Sequence, residues 1–309
     1  MPSQDTPEER LRGHLSLVVV QFCFGLFPLF GLTAMREFAP LAVAGWRMLF
    51  GAVVLMGLAV LVHGRRAWIG WRMMPMMLVL SLLGVVLNQA LFVQGLARST
   101  ATNAGLVMCL IPVFTFILAA LARQEKLAPV RALGVLLSLS GGLVWFNTED
   151  PELVSQYATG NLMMAINALS YAAFIVLSKP IARRYPPLVI LGWIYLLSLL
   201  SVPFLITGER LVPDGVSSDG WWSLIAVLAF PTFLGYLLNL YALERLRAST
   251  TAVYIYLQPL IAAAAGWLWL DEQLTPAVGG AAAFIFVGIW LVARRPRATV
   301  VLSPSAAKR

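Results

Sequence analysis

Apolar stretches alternate with short polar segments along almost the whole chain of 309 residues. Each stretch runs for roughly 18 to 24 residues, about the length that an α-helix needs to cross a hydrocarbon core of about 30 Å. Ten such stretches, numbered spans 1 to 10, begin near Leu15, Leu41, Met74, Ser99, Val130, Asn161, Leu188, Trp221, Thr250 and Pro276. The pattern predicts an all-α, polytopic membrane protein of ten transmembrane helices.

The second half of the chain repeats the first at a constant offset of 147 residues. Matched pairs include Trp46 with Trp193, Arg98 with Arg245, Pro112 with Pro259, Glu125 with Glu272, and Gly141 with Gly288. Because each copy holds five spans, an odd number, the two copies must cross the membrane in opposite directions. We predict two inverted five-helix repeats at residues 1–147 and 160–297, an external connecting loop at 148–159 and a disordered cytoplasmic tail at 298–309. Many secondary transporters are built in this way.

Composition and charge place this chain in a membrane and orient it. With 60% hydrophobic and 12% charged residues, it has too little polar surface to cover a soluble protein of this size. The net charge of +8 is compatible with nucleic-acid binding, but 18 of the 22 Lys and Arg residues fall on one side of the predicted spans and three on the other. The positive-inside rule then predicts a multi-pass protein of the cell (inner or plasma) membrane, with both termini cytoplasmic and no nucleic-acid partner.

The predicted spans lack the groups that catalysis or metal binding would require. No Asp or Glu lies inside a span, Cys23 and Cys109 are isolated within spans, and His14 and His63 lie at cytoplasmic span ends. A nucleophile with its base, or a set of metal ligands, is therefore missing. We predict no enzymatic activity, no metal site and no cofactor.

Polar side chains inside the spans are the candidates for a substrate-binding cavity, since buried polar groups in a membrane are costly unless they pair or face water. The predicted binding residues are Gln21, Asn88, Gln89, Asn167, Tyr171, Thr232, Tyr236, Asn239, Tyr254 and Gln258. Gln89 and Tyr236 are related by the offset of 147, so an inverted repeat would place them symmetrically about the centre. For each residue, the alternative is a hydrogen bond between helices with no contact to substrate.

Three prolines and one arginine add mechanical and electrostatic features. Pro28, Pro112 and Pro259 are predicted kinks or hinges, because proline removes an amide donor and clashes with the preceding turn. The last two are matched across the repeat, and paired interruptions mark transporter sites, although a plain kink is the alternative. Arg47 is the only charged residue well inside a span. Either its side chain extends to the external interface, as long cationic side chains do, or it binds a substrate carboxylate.

Residues 83–144 resemble the signature half of the EamA family, within the drug/metabolite transporter superfamily. The resemblance rests on the small-residue run after span 3, on Pro112, on Glu125 and on Gly134 and Gly141. The second half is similar through Ala248, Pro259, Glu272 and Gly288, although Ala281 stands in place of the glycine that matches Gly134. The resemblance implies a ten-helix transporter, commonly an exporter of amino acids or other small metabolites, with a cavity lined mainly by spans 1, 3, 4, 6, 8 and 9.

We therefore expect a secondary transporter that exports small metabolites such as amino acids by alternating access at a central cavity between the repeats. Efflux of hydrophobic cationic drugs, and import or exchange of metabolites, are the alternatives. Small residues in spans 5 and 10, among them Gly134, Ser138 and Gly288, predict close packing of these spans, with a homodimer face as the alternative. We expect a monomer in the lipid bilayer with a small-molecule substrate as its partner.

Overall fold

The fold is helical throughout the part of the chain that the structure describes. This structure, a computed structural model, describes residues 7–99, 104, 107–125, 128–146, 157–258, 260–261, 264 and 276–293. Six helical stretches are long and apolar enough to cross a membrane: Pro7–Ala34, Pro40–Ala67, Trp71–Leu96, Ala158–Ala182, Pro187–Leu205 and Ser218–Arg245. They coincide with predicted spans 1, 2, 3, 6, 7 and 8. Shorter apolar helices lie in spans 4, 5 and 10, so the total of ten crossings stays a prediction.

The individual helices are numbered in chain order. In the first half they are α1 (Pro7–Gly25), α2 (Phe27–Ala34), α3 (Pro40–His63), α4 (Met74–Ser81), α5 (Leu87–Leu96), α6 (Leu110–Leu121) and α7 (Pro129–Phe146). In the second half they are α8 (Ala158–Ala182), α9 (Pro187–Ser198), α10 (Val202–Leu205), α11 (Ser218–Val227), α12 (Tyr236–Arg245), α13 (Ala248–Val253) and α14 (Pro276–Ala293).

Helices of the two halves pack against one another across the whole bundle. The pairs with the most extensive packing are α7 with α14, α3 with α9, α5 with α8, α6 with α8, and α1 with α12. The main apolar core lies between them, and its fully buried side chains include Met48, Leu55, Phe174 and Tyr195. This interleaving brings polar side chains of the two halves into contact, as for Asn88 and Tyr236.

The close packing predicted for spans 5 and 10 is confirmed. In α7 and α14, Gly134 and Gly288 bring the two backbones together, and Ser138 donates a hydrogen bond to the carbonyl of Ile285. A Cβ atom at Gly288 would overlap both Ser138 and the carbonyl of Gly134. The small residues therefore serve a contact within one chain.

Spans 3 and 8 each contain a π-helical segment at matching places in the repeat. The first π segment is Leu82–Val86 and the second is Leu228–Gly235, and adding the offset of 147 to 82–86 gives 229–233. A π turn frees backbone carbonyls and occurs frequently at functional sites. In the first segment, the carbonyls of Leu83 and Gly84 accept hydrogen bonds from Ser170 and Tyr236.

Prolines accompany two further interruptions. Helix α1 ends before Leu26, and Pro28 is the second residue of α2. A turn at Cys109 precedes α6, in which Pro112 is the third residue. Each break lies within the helical turn that precedes the proline, where the proline ring would clash with a backbone carbonyl. The matching Pro259 lies outside the described residues.

A buried carboxylate connects the end of α6 to the start of α13. Glu125 pairs with Arg131 at 3.0 Å and accepts hydrogen bonds from the amide and hydroxyl of Ser249, the second residue of α13. A negative charge is favourable at a helix N-terminus, where amides lack partners. Glu125 therefore joins one half of the chain to the other.

Candidate substrate-binding site

Tyr236 is the point at which the polar groups of the two halves meet. It is the first residue of α12, directly after the second π segment, and its side chain is buried. Its hydroxyl lies 2.8 Å from the carbonyl of Gly84 and 2.8 Å from Oδ1 of Asn88. The single hydroxyl proton can be donated to either oxygen, so this contact can rearrange without losing its bond.

Helix α8 contributes two more of the predicted residues beside Tyr236. Asn167 donates through Nδ2 to the carbonyl of Asn88, and Asn239 donates to the Tyr171 hydroxyl at 3.0 Å. The Tyr171 and Tyr236 rings meet edge to face, with centroids 6.2 Å apart. Three helices, α5, α8 and α12, are thereby joined through neutral polar groups.

Gln89 leads to a residue that the sequence analysis missed. Its Nε2 donates to the hydroxyl of Tyr195 in α9 at 2.9 Å, and the Tyr195 ring lies 5.9 Å from that of Tyr236. Tyr195 therefore contacts both members of the predicted symmetry-related pair: its hydroxyl bonds to Gln89, and its ring packs on that of Tyr236. The sequence does carry one signal for Tyr195, because it places a phenol in the middle of the apolar span 7. The family resemblance, however, does not count span 7 among the main cavity-lining helices.

We refer to Asn88, Gln89, Asn167, Tyr171, Tyr195, Tyr236 and Asn239 as the central polar cluster. Within the described part of the chain, two of its buried oxygens, Oε1 of Gln89 and Oδ1 of Asn167, have no hydrogen-bond donor. Leaving a buried acceptor unpaired costs about 1–3 kcal/mol. Such oxygens can accept hydrogen bonds from water or from a ligand, and the nearby amide and phenol groups can also donate.

Arg47 and Thr232 form a second polar contact beside this cluster. Arg47 in α3 is 3% exposed, and its Nε donates to the Thr232 hydroxyl at 2.8 Å. The hydroxyl of Thr232 in turn donates to the carbonyl of Val227. The guanidinium carbon lies 5.1 Å from the centre of the Phe27 ring, a cation–π distance. The expectation that this side chain extends to the external interface is wrong, because Thr232 and Phe27 hold it inside the bundle.

The structure does not join every predicted residue to the central polar cluster. Gln258 donates to Gln21 at 2.9 Å, and the Tyr254 hydroxyl lies 2.8 Å from Nδ1 of His14. Both pairs connect α1 to the helical stretch that follows α13. Ser81, directly before the first π segment, donates to the carbonyl of Ile194 in α9 and does not join the cluster. The intervening π segment changes the direction in which side chains point along span 3.

Comparison with known proteins shows the family to which this chain belongs. The sequence profile of the EamA-like transporter family matches residues 11–146 and 158–294. The chain belongs to the EamA-like transporter family. Members of this family are membrane transporters, so this EamA-like transporter is a multi-pass membrane protein that carries a small-molecule substrate and is surrounded by lipid.

Two relatives of this chain are named as transporters or exporters. An uncharacterized transporter of Archaeoglobus fulgidus is 24% identical over 263 residues, which cover 85% of this chain and 91% of the relative. A probable terminal-alkyne amino-acid exporter of Streptantibioticus cattleyicolor is 26% identical over 232 residues, 72% of this chain and 74% of the relative. One solved crystal structure, 20% identical, shares the fold with a TM-score of 0.73 over 92% of this chain and 96% of its own.

Proposed function

We propose that this EamA-like transporter exports small metabolites such as amino acids, by alternating access at the central polar cluster. The observation that carries the proposal is the contact of Tyr236 with Asn88 and Gly84, because it joins the two halves through groups that can exchange partners. Substrate sites near the middle of the membrane, between two repeats, are typical of secondary transporters. The relative named as a probable amino-acid exporter supports both the direction and the substrate class.

Irregular backbone beside the cluster provides the places where the helices would bend. The first π segment ends two residues before Asn88, and the second ends directly before Tyr236. The breaks near Pro28 and Pro112 lie in other helices of the same bundle. Broken helices are tolerated in membranes where they line a cavity. In this mechanism, both termini face the cytoplasm, the two repeats rock about the site, and a monomer suffices.

Energy coupling in this proposal needs no proton carrier in the site. The central polar cluster consists of amide and phenol groups, and no carboxylate or histidine belongs to it. Transport then follows the substrate gradient or exchanges one substrate for another. Export should therefore continue when a pH gradient is collapsed at constant membrane potential, and a halt under that condition would contradict this part of the proposal.

The alternative substrate, a hydrophobic cationic drug, has an aromatic observation in its favour. Phe24, Tyr171 and Phe174 surround Tyr236, and aromatic faces attract cations. The fixed positive charge of Arg47 opposes a second cation in the same space, however, and no carboxylate belongs to the described residues of the cluster. A neutral or zwitterionic metabolite fits these groups better.

The test compares metabolites in the medium of cells that express the wild type or the Asn88→Leu, Tyr236→Phe double variant at equal membrane levels. Tyr241→Phe is the matched control, because the Tyr241 ring stacks on Arg245 and lies outside the cluster. We expect compounds released by the wild type and the control to fall by about tenfold or more in the double variant, since two buried polar partners are lost. Compounds depleted from the medium instead would indicate import, and identical profiles would contradict transport at this site.

A further inference from the structure

Three cations are buried in the described part of the chain, and two of them have compensating partners. Arg131 pairs with Glu125 at 3.0 Å. Lys179 donates to backbone carbonyls at the end of α12, including those of Leu243 and Leu246. A helix C-terminus carries partial negative charge, so that position suits a lysine. The third buried cation is Arg47.

Arg47 differs from the other two because no negative group among the described residues compensates its charge. The four ion pairs among the described residues all involve other side chains. Its one hydrogen bond to the described residues goes from Nε to a neutral hydroxyl, that of Thr232. A buried charge without an ionic partner is unfavourable, so its retention needs either a functional ligand or water.

The end of the guanidinium group is available to such a ligand. Guanidinium carries five N–H donors, and Nε uses one of them on Thr232. The Nη1 and Nη2 atoms make no hydrogen bond to the described residues, yet they are not among the polar atoms sealed from solvent without a partner. These two nitrogens form the planar fork that binds a carboxylate through two parallel hydrogen bonds.

This free fork lies next to the central polar cluster. Thr232 precedes Tyr236 by one helical turn, and Phe27, under the guanidinium, follows Phe24 by about one turn. The Phe24 ring in turn meets the Tyr236 ring at 5.8 Å. A small molecule held by the amide and phenol groups of the cluster would thus have the cation of Arg47 within reach.

We propose that Arg47 is the carboxylate-binding residue of the transport site, so that the exported metabolite is a carboxylate, either a zwitterionic amino acid or a simple organic acid. Thr232 is a positioning residue, since its hydroxyl accepts from Nε and leaves both Nη atoms without a hydrogen bond to the described residues. The inference rests on the proposed export function and specifies its substrate class. It opposes the drug-efflux alternative, because Arg47 repels an organic cation.

The test uses the purified full-length protein in detergent and follows its thermal unfolding with matched ligands. One aromatic series consists of phenylalanine, 3-phenylpropionate, phenylalaninamide and phenethylamine, and an aliphatic series consists of alanine, propionate and alaninamide. Within each series, only the carboxylate and the amine change. Arg47→Gln, Arg47→Lys and Thr232→Val are compared with Arg210→Gln, which removes a cation from an exposed ion pair far along the chain.

We expect at least one carboxylate, but not its amide or amine, to raise the unfolding temperature of the wild type and of Arg210→Gln. The dissociation constant should rise by about 30-fold or more in Arg47→Gln, since a buried, hydrogen-bonded charge pair loses one partner. Arg47→Lys should retain part of the effect, because it keeps the charge without the fork. Thr232→Val should weaken binding less than Arg47→Gln does.

Three results would overturn the inference: amides or amines protecting the wild type as well as acids do, acids protecting Arg47→Gln as well as the wild type, or no acid of either series protecting the wild type. If Arg47→Gln does not fold, the comparison of acid with amide on the wild type still decides. If acids alone protect the purified protein but cells release no compound, the export function is refuted and the carboxylate site stands. If cells release compounds that lack an acidic group, and release is the same with Arg47→Lys, the carboxylate site is refuted and the export function stands.

Discussion

Replacing Glu125 with glutamine is expected to destabilise the folded protein strongly. The side chains of Glu125 and Arg131 are 5% and 7% exposed, and Ser249 donates two further hydrogen bonds to the same carboxylate. Glutamine keeps one accepting oxygen but removes the charge, so Arg131 becomes a buried cation without an ionic partner. Breaking a buried pair from one side costs about 3–5 kcal/mol. For a chain of this size, that is a fall of roughly 5 °C or more in the unfolding temperature.

The assay is thermal unfolding in detergent, followed by tryptophan fluorescence. Glu8→Gln is the matched control, because the Glu8 and Arg12 side chains are 72% and 62% exposed and such a pair contributes under about 1 kcal/mol. The Glu125→Gln, Arg131→Gln double variant should be more stable than Glu125→Gln alone, since the unpaired cation is gone. A fall in unfolding temperature no larger than that of Glu8→Gln, or strictly additive losses in the double variant, would contradict a stabilising ion pair between Glu125 and Arg131.

Two further predictions concern packing and pH. Gly288→Ala should lower the unfolding temperature, because its methyl group would overlap Ser138 at a cost of about 1–3 kcal/mol. Gly280→Ala is the control and should not lower it, since the space around its Cβ is open. Equal effects of the two variants would contradict this prediction. Hydrogen bonds from Ser217 hold the pKa of Glu37 below its ordinary value, so the ionised form stabilises the fold at neutral pH and this contribution is lost as the pH falls through the lowered pKa. Glu37→Gln should therefore unfold at a lower temperature than the wild type at pH 7, with the gap closing in acid; a gap independent of pH would oppose that assignment.

Long helices were predictable from the sequence because their length and apolarity are local properties. Span 3 was expected to begin near Met74, which is the first residue of α4, and span 7 near Leu188, one residue after α9 begins. The small residues at Gly134 and Gly288 indicated a close helix pair, and this pair is present.

Side-chain direction was not predictable to the same degree. Asn88 and Tyr236 meet, but Tyr254 turns to His14, and Arg47 stays inside the bundle. These outcomes depend on the π segments and on which helix lies opposite, and both are tertiary effects. Tyr195 escaped notice for the same reason, since its role appears only when Gln89 is found beside it.

The most direct test of the central claim is solute flux through the purified protein in liposomes, loaded with a compound that the wild type releases from cells. We expect saturable efflux that accelerates when the same compound is present outside, and that falls to the rate of protein-free liposomes in the Asn88→Leu, Tyr236→Phe variant. Efflux from wild-type liposomes no faster than from protein-free ones, or equal efflux with the variant, would contradict transport at the central polar cluster.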